Sequence, residues 1–149
     1  MPTDPMWLKG RPCFEKISNE QLRSIAQITQ VVCYSTGHIL CKENEPGEKV
    51  FFMVKGDVEM LYNIGEADQV SVDSLHNEEV FGCSALVEPY TYTETVRCLT
   101  QVEMLAIDAV ELRALMERDC DLEVKLQKHI ISRLMAQMVN LRLKQPLGS

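Results

Sequence analysis

Closely spaced cysteines and histidines are absent from this sequence. It contains six cysteines without a C-x-x-C pair and three histidines without an H-x-H pair. Iron–sulfur clusters and metal sites commonly use such spacings, so no metal or other cofactor is expected. His38, His76 and His129 are each expected to be solvated or hydrogen-bonded, and no set of nucleophile, base and orienting group is apparent. The sequence therefore predicts a protein that is not an enzyme.

A secretion signal, a membrane-spanning run and a basic surface are also missing. The first residues lack the basic and apolar regions of a signal peptide, and no apolar run approaches the ~20 residues that span a bilayer. A net charge of −7 and a pI near 5.0 argue against a basic surface for phosphate backbones. We therefore expect a cytoplasmic protein with reduced thiols and without direct contact with nucleic acid or membrane.

Glycines separate the apolar runs that dominate residues 31–107. Four of them lie between segments that are rich in β-branched and aromatic residues: Gly37, Gly47, Gly56 and Gly82. Because glycine tolerates positive φ and close backbone approach, this spacing is typical of corners in a rolled sheet. Residues 63–69 are predicted to form a hairpin loop and residues 91–99 a single strand. The pattern predicts one mainly β domain, an antiparallel double-stranded β-helix (jelly roll) of about eight strands with flanking helices.

Three amphipathic helices are predicted around this sheet. Ser18 and Gln21 form a capping box at the start of a short N-terminal helix, and Asp108 is the expected N-cap of a second helix. The expected apolar face of that second helix consists of Val110, Leu112, Leu115 and Met116. A long C-terminal helix, 121–144, would measure about 36 Å. Its apolar stripe consists of Leu122, Leu126, Ile130, Leu134, Met138 and Leu141. Part of this stripe is predicted to meet a second copy of the chain, and the alternative is packing against its own barrel alone.

A short segment around Gly82 is the strongest candidate for a ligand site. Phe81 and Gly82 come directly before Cys83, Ser84 and Ala85, which are expected to begin a short helix. A helix N-terminus offers unpaired N–H groups to an anion, and Ser84 could add a hydroxyl. A turn that merely closes the barrel explains the segment equally well. A lowered pKa of Cys83 at this position would favour a thiol sensor instead.

Two segments of the chain resemble parts of cyclic-nucleotide-binding domains. Residues 37–58 resemble their glycine-framed opening, and residues 81–95, here called the cassette, resemble their phosphate-binding cassette. The whole resemblance spans residues 14–144. The sequence is similar to the effector domain of the catabolite-activator (Crp-Fnr) superfamily in a stand-alone form without a helix-turn-helix. The resemblance implies a small-molecule site inside the roll, with a cyclic phosphate at the short helix.

The cassette departs from the family pattern at the positions that would hold a nucleotide. The resemblance implies a glutamate directly after Phe-Gly for the ribose and an arginine further on for the phosphate. Cys83 and Tyr92 occupy these positions, and Thr93 and Glu94 replace small residues. Without a guanidinium, a buried phosphate would be poorly paired. The predicted ligand-binding residues are Phe81, Gly82, Cys83, Ser84, Ala85, Tyr92 and Thr93, and the standard mode of binding cyclic AMP or cyclic GMP is not expected.

Together these observations predict a non-enzymatic sensor module. Residues 14–119 would form the β-roll with its short helices, and residues 120–144 would form a dimerisation helix. A small ligand, a cyclic nucleotide or another anion, would shift that helix when it binds near Gly82, and the helix would act on a protein partner. The alternatives are a protein-interaction scaffold without a small ligand, or a thiol or redox sensor that uses Cys83.

Overall fold

Two antiparallel four-stranded sheets form the body of the protein. The computed structural model describes residues 3–64, 68–75 and 79–144, without the side chains of 63–64, 68–75 and 140–144. The strands are β1 (Thr29–Tyr34), β2 (Ile39–Cys41), β3 (Lys49–Lys55), β4 (Val58–Ile64), β5 (Asp68–Leu75), β6 (Val80–Phe81), β7 (Thr95–Cys98) and β8 (Val102–Asp108). One sheet has the order β1-β8-β3-β6 and the other β2-β7-β4-β5. The predicted jelly roll is confirmed.

Helices flank the roll at both ends of the chain. They are α1 (Pro5–Leu8), α2 (Asn19–Gln27), α3 (Ala109–Arg118) and α4 (Cys120–Lys144), and two 3-10 turns lie at Pro12–Phe14 and Cys83–Leu86. The predicted capping box is present, because Ser18 Oγ accepts from the backbone N–H of Gln21 at 3.1 Å and Gln21 Oε1 accepts from that of Ser18 at 3.0 Å. Asp108 caps α3 through the N–H of Glu111 at 2.9 Å. Helix α1, which Asp4 caps, was not predicted.

The core lies between the two sheets and continues under the helices. Consecutive residues 104–107 of β8 are all buried, because this central strand has the roll interior on one face and is covered on the other. Helix α2 contacts β1, and α3 contacts β3 and β8. Phe14 brings the N-terminal 3-10 turn against Phe52 of β3, with ring centroids 5.5 Å apart. This packing fixes the strands that support the cassette.

Two sequence-based boundaries and one predicted helix face are wrong. Strand β4 continues to Ile64 and β5 begins at Asp68, so most of the predicted hairpin loop at 63–69 belongs to the sheet. Strand β7 begins only at Thr95, because the backbone of Tyr92 pairs with the loop before β3 instead of a strand. Val110 is 58% exposed and lies outside the buried face of α3. That face is formed by Ala109, Leu112 and Met116.

Gly47 is required because a side chain would not fit at its position, whereas glycine at the other three predicted corners allows a positive φ. The positive-φ residues of this group are Gly37, Gly56 and Gly82. At Gly47, an added Cβ would lie 2.5 Å from Ala85 Cβ and 2.9 Å from Ala85 Cα. Carbon atoms do not approach this closely without displacement of the backbone. The absence of a side chain at Gly47 therefore lets the loop before β3 contact the cassette directly.

Candidate functional site

The cassette begins at an edge strand and turns sharply at Gly82. Strand β6 pairs with β3 through Phe51 and Phe52, and the rings of Phe51 and Phe81 stack with centroids 4.9 Å apart. Gly82 then adopts φ +78°, which starts the 3-10 turn Cys83–Leu86. A Cβ at Gly82 would also lie 3.0 Å from the carbonyl oxygen of Lys49. Glycine therefore satisfies both the left-handed φ and the close approach to β3.

Tyr92 ties the far end of the cassette to β3. Its hydroxyl donates to the carbonyl oxygen of Lys49 at 2.7 Å and accepts from the backbone N–H of Lys49 at 3.0 Å. Burial raises the pKa of Tyr92 to about 12, so the phenol stays protonated and can donate. Tyr92 and Ala85, two of the predicted ligand-binding residues, do not line the cavity described below. Their contacts support the cassette structure.

An apolar cavity of about 790 Å³ lies between the cassette, β4 and α4. Five predicted ligand-binding residues line it: Phe81, Gly82, Cys83, Ser84 and Thr93. The remaining lining residues are Met60, Tyr62, Val80, Leu86, Val87, Glu94, Met116, Gln127, Ile130, Ile131, Leu134, Gln137 and Met138. Its size and mostly apolar walls are typical of small-molecule pockets. The described lining residues include no lysine, arginine or histidine.

Glu94 is the only acidic residue among these lining residues. The residue is only 8% exposed, and its Oε2 accepts a hydrogen bond from the hydroxyl of Thr93. Burial raises the pKa of Glu94, the Thr93 hydrogen bond lowers it, and the charge of Glu43 raises it further. The described side chains of this wall therefore carry negative charge or none.

The family model for the cyclic nucleotide-binding domain matches residues 31–119. This match covers more than half of the chain. The chain belongs to the cyclic nucleotide-binding domain family. In this cyclic nucleotide-binding domain the matched range runs from β1 to just beyond α3 and includes the whole cassette.

Relatives of this cyclic nucleotide-binding domain include channels and regulators. The chain is 25% identical to a cyclic nucleotide-gated potassium channel of Rhizobium etli over 122 residues, which are 82% of this chain and 33% of the channel. It is 20% identical to a CRP-like cAMP-activated global transcriptional regulator of Mycobacterium tuberculosis over 101 residues, 68% of this chain and 45% of the regulator. The chain therefore spans less than half the length of these two relatives.

Solved structures share the fold over almost the whole chain. One is a protein of Geobacter metallireducens GS-15 that is provisionally named a cyclic nucleotide-binding protein. It has a TM-score of 0.82 and 27% identity, over 91% of this chain and 98% of that protein. A cyclic nucleotide-binding domain from Methylobacillus flagellatus has a TM-score of 0.76 and 16% identity, over 91% of this chain and 78% of that one.

Arg97 does not supply the missing cation in this cyclic nucleotide-binding domain. Its guanidinium forms an ion pair with the carboxylate of Glu59, the directly opposite residue on β4, and its Nε donates to Glu59 Oε1 at 2.8 Å. Neither residue lines the cavity, whereas the next residue of β4, Met60, does. Because successive side chains of a strand point to opposite faces, the Arg97–Glu59 pair lies on the other face of the sheet.

Cys83 does not have the lowered pKa that its sequence position suggested. Burial raises the pKa of Cys83 to about 12, and the charge of Glu94 acts in the same direction. A backbone hydrogen bond at Cys83 lowers the pKa, but it is the smallest of the three effects. Cys83 is only partly exposed, and a thiol with a raised pKa is predominantly protonated and weakly nucleophilic. Among the described residues no group of three or more His, Cys, Asp and Glu side chains could hold a metal ion.

Two contacts that the sequence did not reveal hold α3 against the cassette and α4 against β6. Arg113 of α3 donates from Nη1 to the carbonyl oxygen of Ala85 at 2.6 Å, and its guanidinium lies 3.9 Å from the ring centroid of Tyr90. Gln137 of α4 donates from Nε2 to the carbonyl oxygen of Val80 at 3.1 Å. Both contacts join residues that are far apart in sequence, so no local pattern predicts them. They couple the cavity wall to α3 and α4.

Helix α4 is buried at its start and exposes apolar side chains further on. Leu122, Leu126 and Ile130 belong to the buried residues, as the predicted stripe requires. The exposed apolar residues of its second half are Ile131, Leu134, Met135, Met138 and Val139. The side chain of Leu141, also part of that stripe, lies outside the described residues. His76, one of the three histidines of the sequence, lies outside them as well. Each helix in the described residues is either too short or too polar to span a lipid bilayer.

Proposed function

We propose that this chain is a non-enzymatic regulatory module whose cavity binds a small molecule other than cyclic AMP or cyclic GMP held in the standard way. The observation that carries this proposal is the composition of the cavity wall. Glu94 lines it, and no basic side chain does among the described lining residues. The shared fold supports a ligand site at this place, while the wall chemistry supports a different ligand.

A cyclic phosphate would be poorly paired in this cavity. Its negative charge would leave water and face apolar walls and Glu94. A buried charge without a partner costs several kcal/mol, and a nearby charge of the same sign increases that cost. Tyr92 offers no compensation, because both functions of its hydroxyl are already used by the backbone of Lys49. Arg97 is likewise engaged with Glu59.

Helix α4 is the element that would transmit ligand binding. It contributes about a third of the cavity wall, including Gln127, Ile130 and Leu134, and Gln137 links it to β6. A ligand that prefers one position of α4 would shift the population toward that position. We propose that residues 120–144 also form a homodimer contact, supported by the exposed apolar side chains of the second half of α4. A protein partner would then sense the arrangement of the two helices.

Thermal unfolding in the presence of nucleotides tests the proposal. A site that is filled at one hundred times its dissociation constant is stabilised by about 2.7 kcal/mol. For a domain of this length, that stabilisation raises Tm by about 5 °C or more. We expect millimolar cyclic AMP or cyclic GMP to raise Tm by less than about 1 °C, since neither would bind tightly. A rise of several degrees with either nucleotide would contradict the proposal.

A pair of matched variants identifies the cause of nucleotide exclusion. Glu94→Ala removes the carboxylate from the cavity wall, whereas Glu88→Ala removes an exposed carboxylate that does not line the cavity. We expect the nucleotide-induced Tm shift to increase only with Glu94→Ala. An equal effect of both substitutions would show that net charge, and not this site, determines the response.

The second candidate function is a protein-interaction scaffold without a small ligand. The exposed apolar side chains on α4, among them Ile131 and Met135, favour it. The two functions differ in the response of α4 to a bound molecule. Hydrogen exchange in α4 that changes when a ligand is added favours the sensor module, and hydrogen exchange in α4 that is the same with and without every added small molecule favours the scaffold. A thiol sensor is the least supported alternative, because the pKa of Cys83 is raised.

A further inference from the structure

We propose that the cavity binds an organic cation, an amine with an apolar body, and that Glu94 accepts its ammonium group. This inference depends on the proposed function, because it assigns a ligand class to the same site. It differs from the ligand class of the cyclic nucleotide-binding relatives in the sign of the charge.

The first support is the charge of the segment that builds most of the cavity wall. Residues 56–96 contain no lysine or arginine, although they contain several acidic residues. Within that segment Glu94 lines the cavity with 8% exposure, and its side-chain hydrogen bond is to a neutral hydroxyl, that of Thr93. No ion pair of Glu94 is present among the described residues. A buried carboxylate of this kind is compensated either by a proton or by a cation from outside.

Among the described residues, the titratable groups that act on Glu94 carry negative charge or none. Glu43 raises its pKa through its negative charge, and no positively charged group contributes. Cys41 and Cys83 also interact with it, and their own pKa values are raised. All three neighbours are acids, so each would add negative charge or none. An ammonium group is therefore the complement that this position lacks.

The second support is the rest of the wall, which suits the body of such a ligand. The lining includes the aromatic rings of Phe81 and Tyr62 and the thioethers of Met60, Met116 and Met138. Aromatic faces attract cations, and methionine adapts to apolar ligands of varied shape. Ser84 Oγ, also in the wall, is buried without a hydrogen-bond partner among the described residues. This hydroxyl is a second acceptor for an ammonium group, which has three donors.

Three probes with the same apolar body test the charge preference. They are 3-phenylpropylamine, 3-phenylpropanol and 3-phenylpropanoate, which are cationic, neutral and anionic near neutral pH. We expect calorimetric titration to show the amine binding at least about tenfold tighter than the alcohol, because the charge-assisted hydrogen bond is added to the same apolar contact. The carboxylate is expected to bind most weakly. Equal binding of amine and alcohol, or tighter binding of the carboxylate, would overturn the inference.

Matched substitutions identify the residue responsible. Glu94→Gln keeps the size and hydrogen-bonding capacity of the side chain but removes its charge. We expect it to remove the advantage of the amine and to leave the alcohol unchanged. Glu88→Gln alters the net charge equally at an exposed position outside the cavity wall and should preserve the advantage. If both variants keep the advantage, Glu94 is not the acceptor, and the inference fails.

The outcomes separate this inference from the proposed function. Tight binding of cyclic AMP or cyclic GMP would overturn the proposed function. Alcohol binding without any preference for the amine would overturn only the inference and leave a neutral ligand site. Absence of binding by all three probes would overturn the inference and would favour the scaffold.

Discussion

Substitution of Gly47 by alanine is expected to destabilise the protein through one specific contact. The new Cβ would lie 2.5 Å from Ala85 Cβ, 2.9 Å from Ala85 Cα and 3.3 Å from the carbonyl oxygen of Tyr90. None of these atoms is the free end of a flexible side chain, so the loop or the cassette has to move. Overpacking of this kind typically costs about 1–3 kcal/mol. Since two contacts are below 3.0 Å, we expect a value of about 2–3 kcal/mol.

A double-mutant cycle in urea unfolding measures that contact. Ala85→Gly removes the nearest atom but leaves the Cα, so it should recover only part of the stability that Gly47→Ala loses. We expect a favourable coupling of about 1 kcal/mol between the two substitutions. Gly37→Ala is the control, because its Cβ would meet no atom within 4 Å and its cost arises from a φ of +90° alone. Two results would refute the steric explanation. One is a Gly47→Ala protein as stable as the wild type, and the other is an Ala85→Gly substitution that restores as much stability to Gly37→Ala as to Gly47→Ala.

Three further predictions concern the cavity and α4. Because the folded-state pKa of Glu94 is raised above its ordinary 4.5, the folded protein retains a proton that the unfolded chain loses, and stability should fall as pH rises above that value. Glu94→Gln should flatten this slope in urea unfolding, and an unchanged slope would contradict the assignment. Cys83 should react with a thiol reagent at least about tenfold more slowly than the exposed Cys33, until denaturant removes the difference. Met135→Glu should convert a dimer to a monomer in sedimentation, whereas Lys42→Glu, at an exposed position outside α4, should not; identical behaviour of both variants would contradict a dimer contact through the exposed apolar face of α4.

Local chemistry explains why much of the fold was predictable. The capping residues Ser18 and Asp108 act on backbone groups only three residues away, so a short pattern determines them. Alternation of apolar residues likewise predicted the strands of the roll. The predicted start of β7 was wrong because Tyr92 forms hydrogen bonds with residues more than forty positions earlier in the chain. A partner so distant in sequence leaves no local pattern from which the pairing could be predicted.

The candidate site was less predictable than the fold because its features depend on long-range packing. The sequence identified Gly82, Cys83 and Ser84 as cavity residues, and the structure places all three in the wall. It also suggested a lowered pKa for Cys83, but burial by distant elements has the opposite effect. The contact of Arg113 with the cassette joins residues 28 positions apart. Whether a ligand touches the predicted residues stays a prediction.

The most direct measurement is a calorimetric titration of the unmodified protein with cyclic AMP and with cyclic GMP near neutral pH. The cavity wall presents Glu94 and no basic side chain among its described residues, so a cyclic phosphate would lose its hydration without gaining a cationic partner. We expect no saturable heat of binding with either nucleotide at concentrations up to the millimolar range. Saturable binding with a dissociation constant in the micromolar range or tighter would contradict the proposal that this cavity excludes cyclic nucleotides.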